Sequence, residues 1–69
     1  MSDFGKRLKK TLAEKGMTYD DLADMAYISK ASISGYITKG VEPSAEYIKI
    51  ICEVLEVSAD YLLGLEQKK

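Results

Sequence analysis

Apolar residues recur along this chain at spacings of three and four, and nowhere do they alternate one by one as a half-buried strand would. Phe4, Leu8 and Leu12 share one side of a first helix, with Lys6, Lys9 and Lys10 largely on the other; the helix begins after Ser2 and stops at Gly16. Thr18 caps a second helix over 19–26, whose first turn carries Asp20 and Asp21 where the helix dipole favours acid. Ser29 caps a third helix only a few residues after Ala26, so the connection is a corner and not a loop. In that helix Ile33 and Ile37 turn inward while Lys30, Ala31, Ser34 and Gly35 point out, until Lys39 and Gly40 close it. After Val41 and Glu42, Pro43 blocks upstream extension of a fourth helix, which Ser44 caps and which continues to Glu56 with Glu46 in its first turn. Ser58 caps a last short helix ending at Gly64. The pattern predicts an all-α domain of five short helices, with no strand.

The fourth helix is more apolar than a small core requires. Ile48, Ile51, Cys52 and Leu55 follow the spacing of a core face, and Cys52 reads as plain packing. A second stripe, Tyr47, Ile50 and Val54, lies about 120° around the same helix, and Val57, Tyr61 and Leu65 continue apolar beyond it. This leftover patch within residues 47–65 is expected to form a two-fold interface between copies of the chain, rimmed by Glu46, Glu53 and Glu56.

At 69 residues the chain is expected to form a single domain over 1–65 with a short tail at 66–69. A lone cysteine and no histidine exclude an internal disulfide and any credible zinc site, so the fold rests on its apolar core. No apolar run approaches the roughly 20 residues of a membrane span, and Met-Ser-Asp-Phe-Gly-Lys-Arg has no signal-like apolar stretch, which points to a soluble, cytoplasmic protein. The net charge of -1 argues against indiscriminate binding to nucleic acid, yet it is unevenly spread. Residues 1–18 carry +3 and 28–40 carry +2, against -3 over 19–27 and -4 over 41–65. Such a molecule has one side that tolerates phosphate and one that avoids it. Without a histidine base, a Gly-rich phosphate loop or a pair of catalytic carboxylates, neither catalysis nor a cofactor nor a small-molecule ligand is expected.

Specific residues narrow the reading further. Phe4-Gly5-Lys6-Arg7-Leu8-Lys9, Lys15-Gly16-Met17-Thr18, Leu22-Ala23, Ile28-Ser29-Lys30 with Ile33-Ser34 and Tyr36, Glu42-Pro43-Ser44, and Val57-Ser58-Ala59-Asp60-Tyr61-Leu62-Leu63-Gly64 follow one another in this order. From Phe4 to Gly64 the chain thus resembles the Cro/CI-type helix-turn-helix regulators of bacteria and phages, also called the XRE family. The resemblance implies a lambda-repressor-like five-helix bundle, with residues 18–40 as the helix-turn-helix. It also implies a homodimer on a two-fold symmetric double-stranded DNA operator, in a bacterial cell or a phage-infected host. The second helix of such a pair is laid into the major groove. Carried over by position, base reading falls on Lys30, Ala31, Ser34 and Gly35, and phosphate contact on Thr18, Tyr19, Ser29, Thr38 and Lys39, with Lys10 in addition. The alternative is an antitoxin or anti-repressor module that works through protein contacts.

The chain departs from its family at informative places. Tyr19 replaces a common phosphate-binding glutamine, and Tyr27 stands at the corner where relatives favour glycine, which either forces a left-handed tyrosine or a differently built turn. Leu12 and Ile37 occupy the positions of a partly buried arginine–glutamate pair and are expected to pack together, since replacing both partners of such a pair with apolar residues avoids a stranded charge.

Overall fold

The computed structural model describes residues 3–65, so the Ser2 helix start and the 66–69 tail lie outside the described residues. Its elements are α1 (Asp3–Lys15), α2 (Tyr19–Ala26), α3 (Lys30–Thr38), α4 (Ala45–Leu55) and α5 (Ala59–Leu62), with no strand among the described residues. Four starts are set locally by a hydroxyl that accepts the N–H three residues on: Thr18 from Asp21 at 3.0 Å, Ser29 from Ser32 at 3.1 Å, Ser44 from Tyr47 at 3.2 Å and Ser58 from Tyr61 at 3.0 Å.

Four helices also stop in one way. The N–H groups of Met17, Ile28, Val57 and Leu65 reach back to the carbonyls of Leu12, Ala23, Cys52 and Asp60 at 2.8–3.1 Å. The residue before each is left-handed: Gly16 at φ 67, Tyr27 at 57, Glu56 at 58 and Gly64 at 78. This is the six-to-one helix stop, and the residue that follows the left-handed position is apolar in every case. At the α2–α3 corner that residue is Ile28, only 6% exposed. Burial of Ile28 and its hydrogen bond hold Tyr27 in a conformation that costs a side-chain-bearing residue about 1–2 kcal/mol. The corner is therefore the left-handed one, without the glycine.

The core joins Phe4, Leu8 and Leu12 of α1, Leu22 and Ala26 of α2, Ile28, Ile33 and Tyr36, Ile51, Cys52 and Leu55 of α4, and Leu62 of α5. Thr11 is buried among them and spends its hydroxyl proton on the Arg7 carbonyl at 2.8 Å. Against the expected inward pair of Ile33 and Ile37, α3 turns Ile33 and Tyr36 inward, while Ile37 is half-buried against the edge of the core. The reason is the crossing of α1 over α3. Gly5 brings the α1 backbone against the Tyr36 carbonyl and the Ile37 Cα, which places Ile37 under the crossing, and the Phe4 ring meets Tyr36 edge-on at 6.2 Å and 82°. Leu12 and Ile37 contribute to one cluster, Leu12 wholly buried and Ile37 at its margin. Ile48, expected in the core face of α4, is likewise half-buried at the margin.

Candidate functional site

Only Tyr27, Ile28 and Ser29 separate α2 from α3, so the two helices act as one rigid corner packed on α4 and α1. Because Ile33 and Tyr36 face the core, the opposite side of α3 is turned outward: Lys30 and Ala31 are exposed, and Ser34 and Gly35 are half-exposed beside them. All four residues expected to read bases are thus brought to one surface. Burial, with a contribution from nearby Tyr47, holds the Tyr36 phenol above its ordinary pKa.

The two helix starts differ electrostatically. The first turn of α2 holds Asp20 and Asp21, and the Asp21 carboxylate accepts the Thr18 N–H at 3.0 Å, completing a capping box. The first turn of α3 holds no acid of its own. Among the described residues the one ion pair crosses the corner: Lys30 Nζ lies 3.3 Å from Oδ1 and 3.4 Å from Oδ2 of Asp20.

Hydroxyl protons sort the expected phosphate contacts. Thr18 accepts a bond and keeps its own proton for an outside acceptor. Ser29 gives its proton to Ser32 Oγ at 2.9 Å, and Thr38 gives its own to the Ser34 carbonyl at 2.7 Å, so both must turn to serve a phosphate. Ser32, which the sequence reading passed over, is the hydroxyl of that pair whose proton remains available. Tyr19 is half-buried with its ring on the core, and Lys39 and Lys10 are exposed.

A groove of about 460 Å³ runs between α3 and the segment leading to α4, lined in part by Ala31, Gly35, Lys39, Val41 and Tyr47. Val41 is 51% exposed and covers Gly35: a Cβ built there would meet Val41 Cγ2 at 3.8 Å. No helical spacing marks a loop residue such as Val41, which is why the sequence alone passes over it. Tyr47, expected on the two-fold patch, lines this groove.

The rest of the expected patch is also divided. Ile50 and Val54 are half-buried against the core; Val57 and Tyr61 line a cleft with Thr11 and Glu14 of α1, where the Arg7 guanidinium stands 5.3 Å from the Tyr61 ring; Leu65 is exposed. The open apolar surface at this end is a groove of about 510 Å³ between α4 and α5, lined by Ile48, Cys52, Val57, Ala59 and Leu63, with Lys49 and Glu53 at its edge.

Among the described residues no helix is long and apolar enough to cross a membrane, and no cluster of potential metal ligands occurs. A family model described as helix-turn-helix matches residues 8–62. Three proteins of Bacillus subtilis (strain 168) are similar: the HTH-type transcriptional regulator YobD, 32% identical over 60 residues; YqaE, named in the same terms, 33% over 66 residues; and the SPbeta prophage-derived regulator YonR, 33% over 60 residues. These matches cover 87%, 96% and 87% of this chain but 54%, 57% and 56% of the relatives, so the chain spans about half their length. The matched region contains the left-handed corner, the outward face of α3 and the core that fixes both, and on that agreement the chain belongs to the Cro/CI-type (XRE) helix-turn-helix family.

Proposed function

We propose that the chain binds double-stranded DNA as a transcriptional repressor of the Cro/CI kind, with α3 in the major groove. The carrying observation is the outward face of α3, where Lys30, Ala31, Ser34 and Gly35 stand together beside a helix start that holds no acid. Lys30 donates to guanine O6 or N7, Ala31 meets a thymine methyl, Ser34 bonds either kind of base, and Gly35 allows close approach. Thr18, Tyr19, Ser29, Thr38, Lys39 and Lys10 fix the chain on phosphates, with Ser29 and Thr38 changing rotamer to donate. The face has no Arg, Asn or Gln for bidentate contacts, so phosphate positioning and DNA shape carry much of the selectivity.

The protein works as a cytoplasmic homodimer on a two-fold symmetric operator. The apolar α4–α5 end, with Val57, Leu63 and Leu65, supports this reading: it is an open apolar groove, and Lys49 beside Glu53 allows each copy to complement the other across a two-fold axis. Ile50, Val54 and Tyr61 pack against the core near that end, while Tyr47 lies in the groove beside α3. A salt titration against random duplex and against duplex selected from a random pool tests the proposal. The expected result is a steep loss of affinity with salt together with a retained sequence preference; no binding at low salt overturns it. A chain that sediments as a monomer at high concentration overturns the dimer.

A further inference from the structure

We propose that Asp20 is a specificity-determining residue: by pairing with Lys30 across the α2–α3 corner it keeps the one long side chain of the reading face off the phosphates and aimed at base edges. This rests on the DNA-binding reading. Lys30 is the sole cation among Lys30, Ala31, Ser34 and Gly35, and its Nζ lies within 3.4 Å of both Asp20 carboxylate oxygens, ten residues back in the chain and on the other helix. Both side chains are largely exposed, at 61% and 66%, so the pair does little for folding stability and its consequence lies in what Lys30 is free to do. A lysine ammonium has three donors on a flexible four-carbon stem, and unpaired it serves any phosphate it can reach, whatever the sequence.

Pairing changes this in two ways. A phosphate must displace Asp20 to capture Lys30, and the remaining Asp20 charge then stands against it, which weakens phosphate capture by Lys30 whatever the sequence. A guanine edge can instead take one of the two remaining donors while the pair stays intact. The pair therefore costs non-specific binding more than specific binding, which is a gain in discrimination. Asp24, also exposed on α2, has no ion-pair partner among the described residues and serves as the control for simple removal of negative charge.

The test measures affinity for random duplex and for duplex selected by the wild-type chain, over a range of salt, in Asp20→Asn, Asp24→Asn, Lys30→Gln and the Asp20→Asn/Lys30→Gln double variant. Asp20→Asn should bind random duplex about three- to tenfold more tightly, with a salt slope steeper by about 0.9 for each Lys30 released onto a phosphate. Its preference for the selected duplex should fall by the same factor. Asp24→Asn should leave the preference unchanged, and Asp20→Asn should have no effect on it once Lys30 is glutamine. Thermal unfolding of each variant shows that the fold is retained. An unchanged or increased preference in Asp20→Asn overturns the proposal, as does an equal fall in Asp24→Asn or an undiminished effect in the Lys30→Gln background. A wild-type chain that binds no duplex at low salt overturns the DNA-binding reading and this proposal with it, whereas one that binds duplex but selects no sequence overturns this proposal alone.

Discussion

Alanine at Gly5 is expected to destabilise the domain, although alanine is the better helix former. In an exposed helix the exchange stabilises by about 0.5–1 kcal/mol. At Gly5 the added Cβ would stand 2.3 Å from the Tyr36 carbonyl oxygen and 3.3 Å from the Ile37 Cα. Both obstacles are backbone, so no rotamer change makes room. Ordinary contact requires α1 and α3 to part by about 1 Å, and a gap of that size forfeits a quarter to a half of each dispersion contact across the interface. Overpacking of this kind costs about 1–3 kcal/mol, and rigid backbone places it at the upper end. Against the propensity gain, a net loss of about 2 kcal/mol remains, or roughly 8–16 °C in Tm for a domain of this size. Gly35→Ala is the matched control, because its Cβ would find only the Val41 side chain at 3.8 Å and should stabilise by up to about 1 kcal/mol. Thermal and urea unfolding followed by circular dichroism measures both. If Gly5→Ala is as stable as the wild type, or if the two alanines act with the same sign, the close crossing of α1 and α3 is not what requires glycine at this position.

Further measurements address the corner, the core pair and the titrating groups. Tyr27→Gly should raise stability by about 1 kcal/mol, because the ring is 94% exposed and only its backbone strain is removed; an unchanged or lower urea midpoint would refute this. Leu12→Arg alone should cost about 3–5 kcal/mol by stranding a charge in the core, and adding Ile37→Glu should restore part of that loss if the two side chains meet; independent, additive losses would show that they do not. Burial, then Glu53, raises the pKa of the Cys52 thiol, and burial, then Tyr47, raises that of the Tyr36 phenol, so the folded chain binds these protons more tightly than the unfolded one. Their contribution is complete at pH 7 and is lost as pH rises past the ordinary values of about 9 and about 10, so urea midpoints should fall above about pH 9, and less steeply at first in Cys52→Ala. A midpoint that rises in this window would contradict the assignment. Leu63→Glu should leave far-UV dichroism intact while abolishing any dimer seen by sedimentation, and a persistent dimer would place the interface elsewhere.

The order and ends of the helices were legible in the sequence because each is decided within a few residues. A hydroxyl reaches the N–H three positions on at Thr18, Ser29, Ser44 and Ser58, and Gly16 relaxes a stop whose hydrogen bond spans five positions. The outward face of α3 was legible for the same reason, since one buried isoleucine fixes the rotation of a nine-residue helix to within a residue. That tolerance of one residue hid Tyr36 behind Ile37. Only the crossing of α1 at Gly5 decides which of the two goes inward, and nothing in the spacing of α3 contains that crossing. Only the packed corner brings Asp20 to Lys30, ten positions apart, and only the placement of the loop before α4 sets Val41 and Tyr47 beside the reading face. Local hydrogen bonds and apolar periodicity act within one helix and are written in the sequence; the meeting of two helices depends on the shapes of both surfaces, and the tertiary structure decides it.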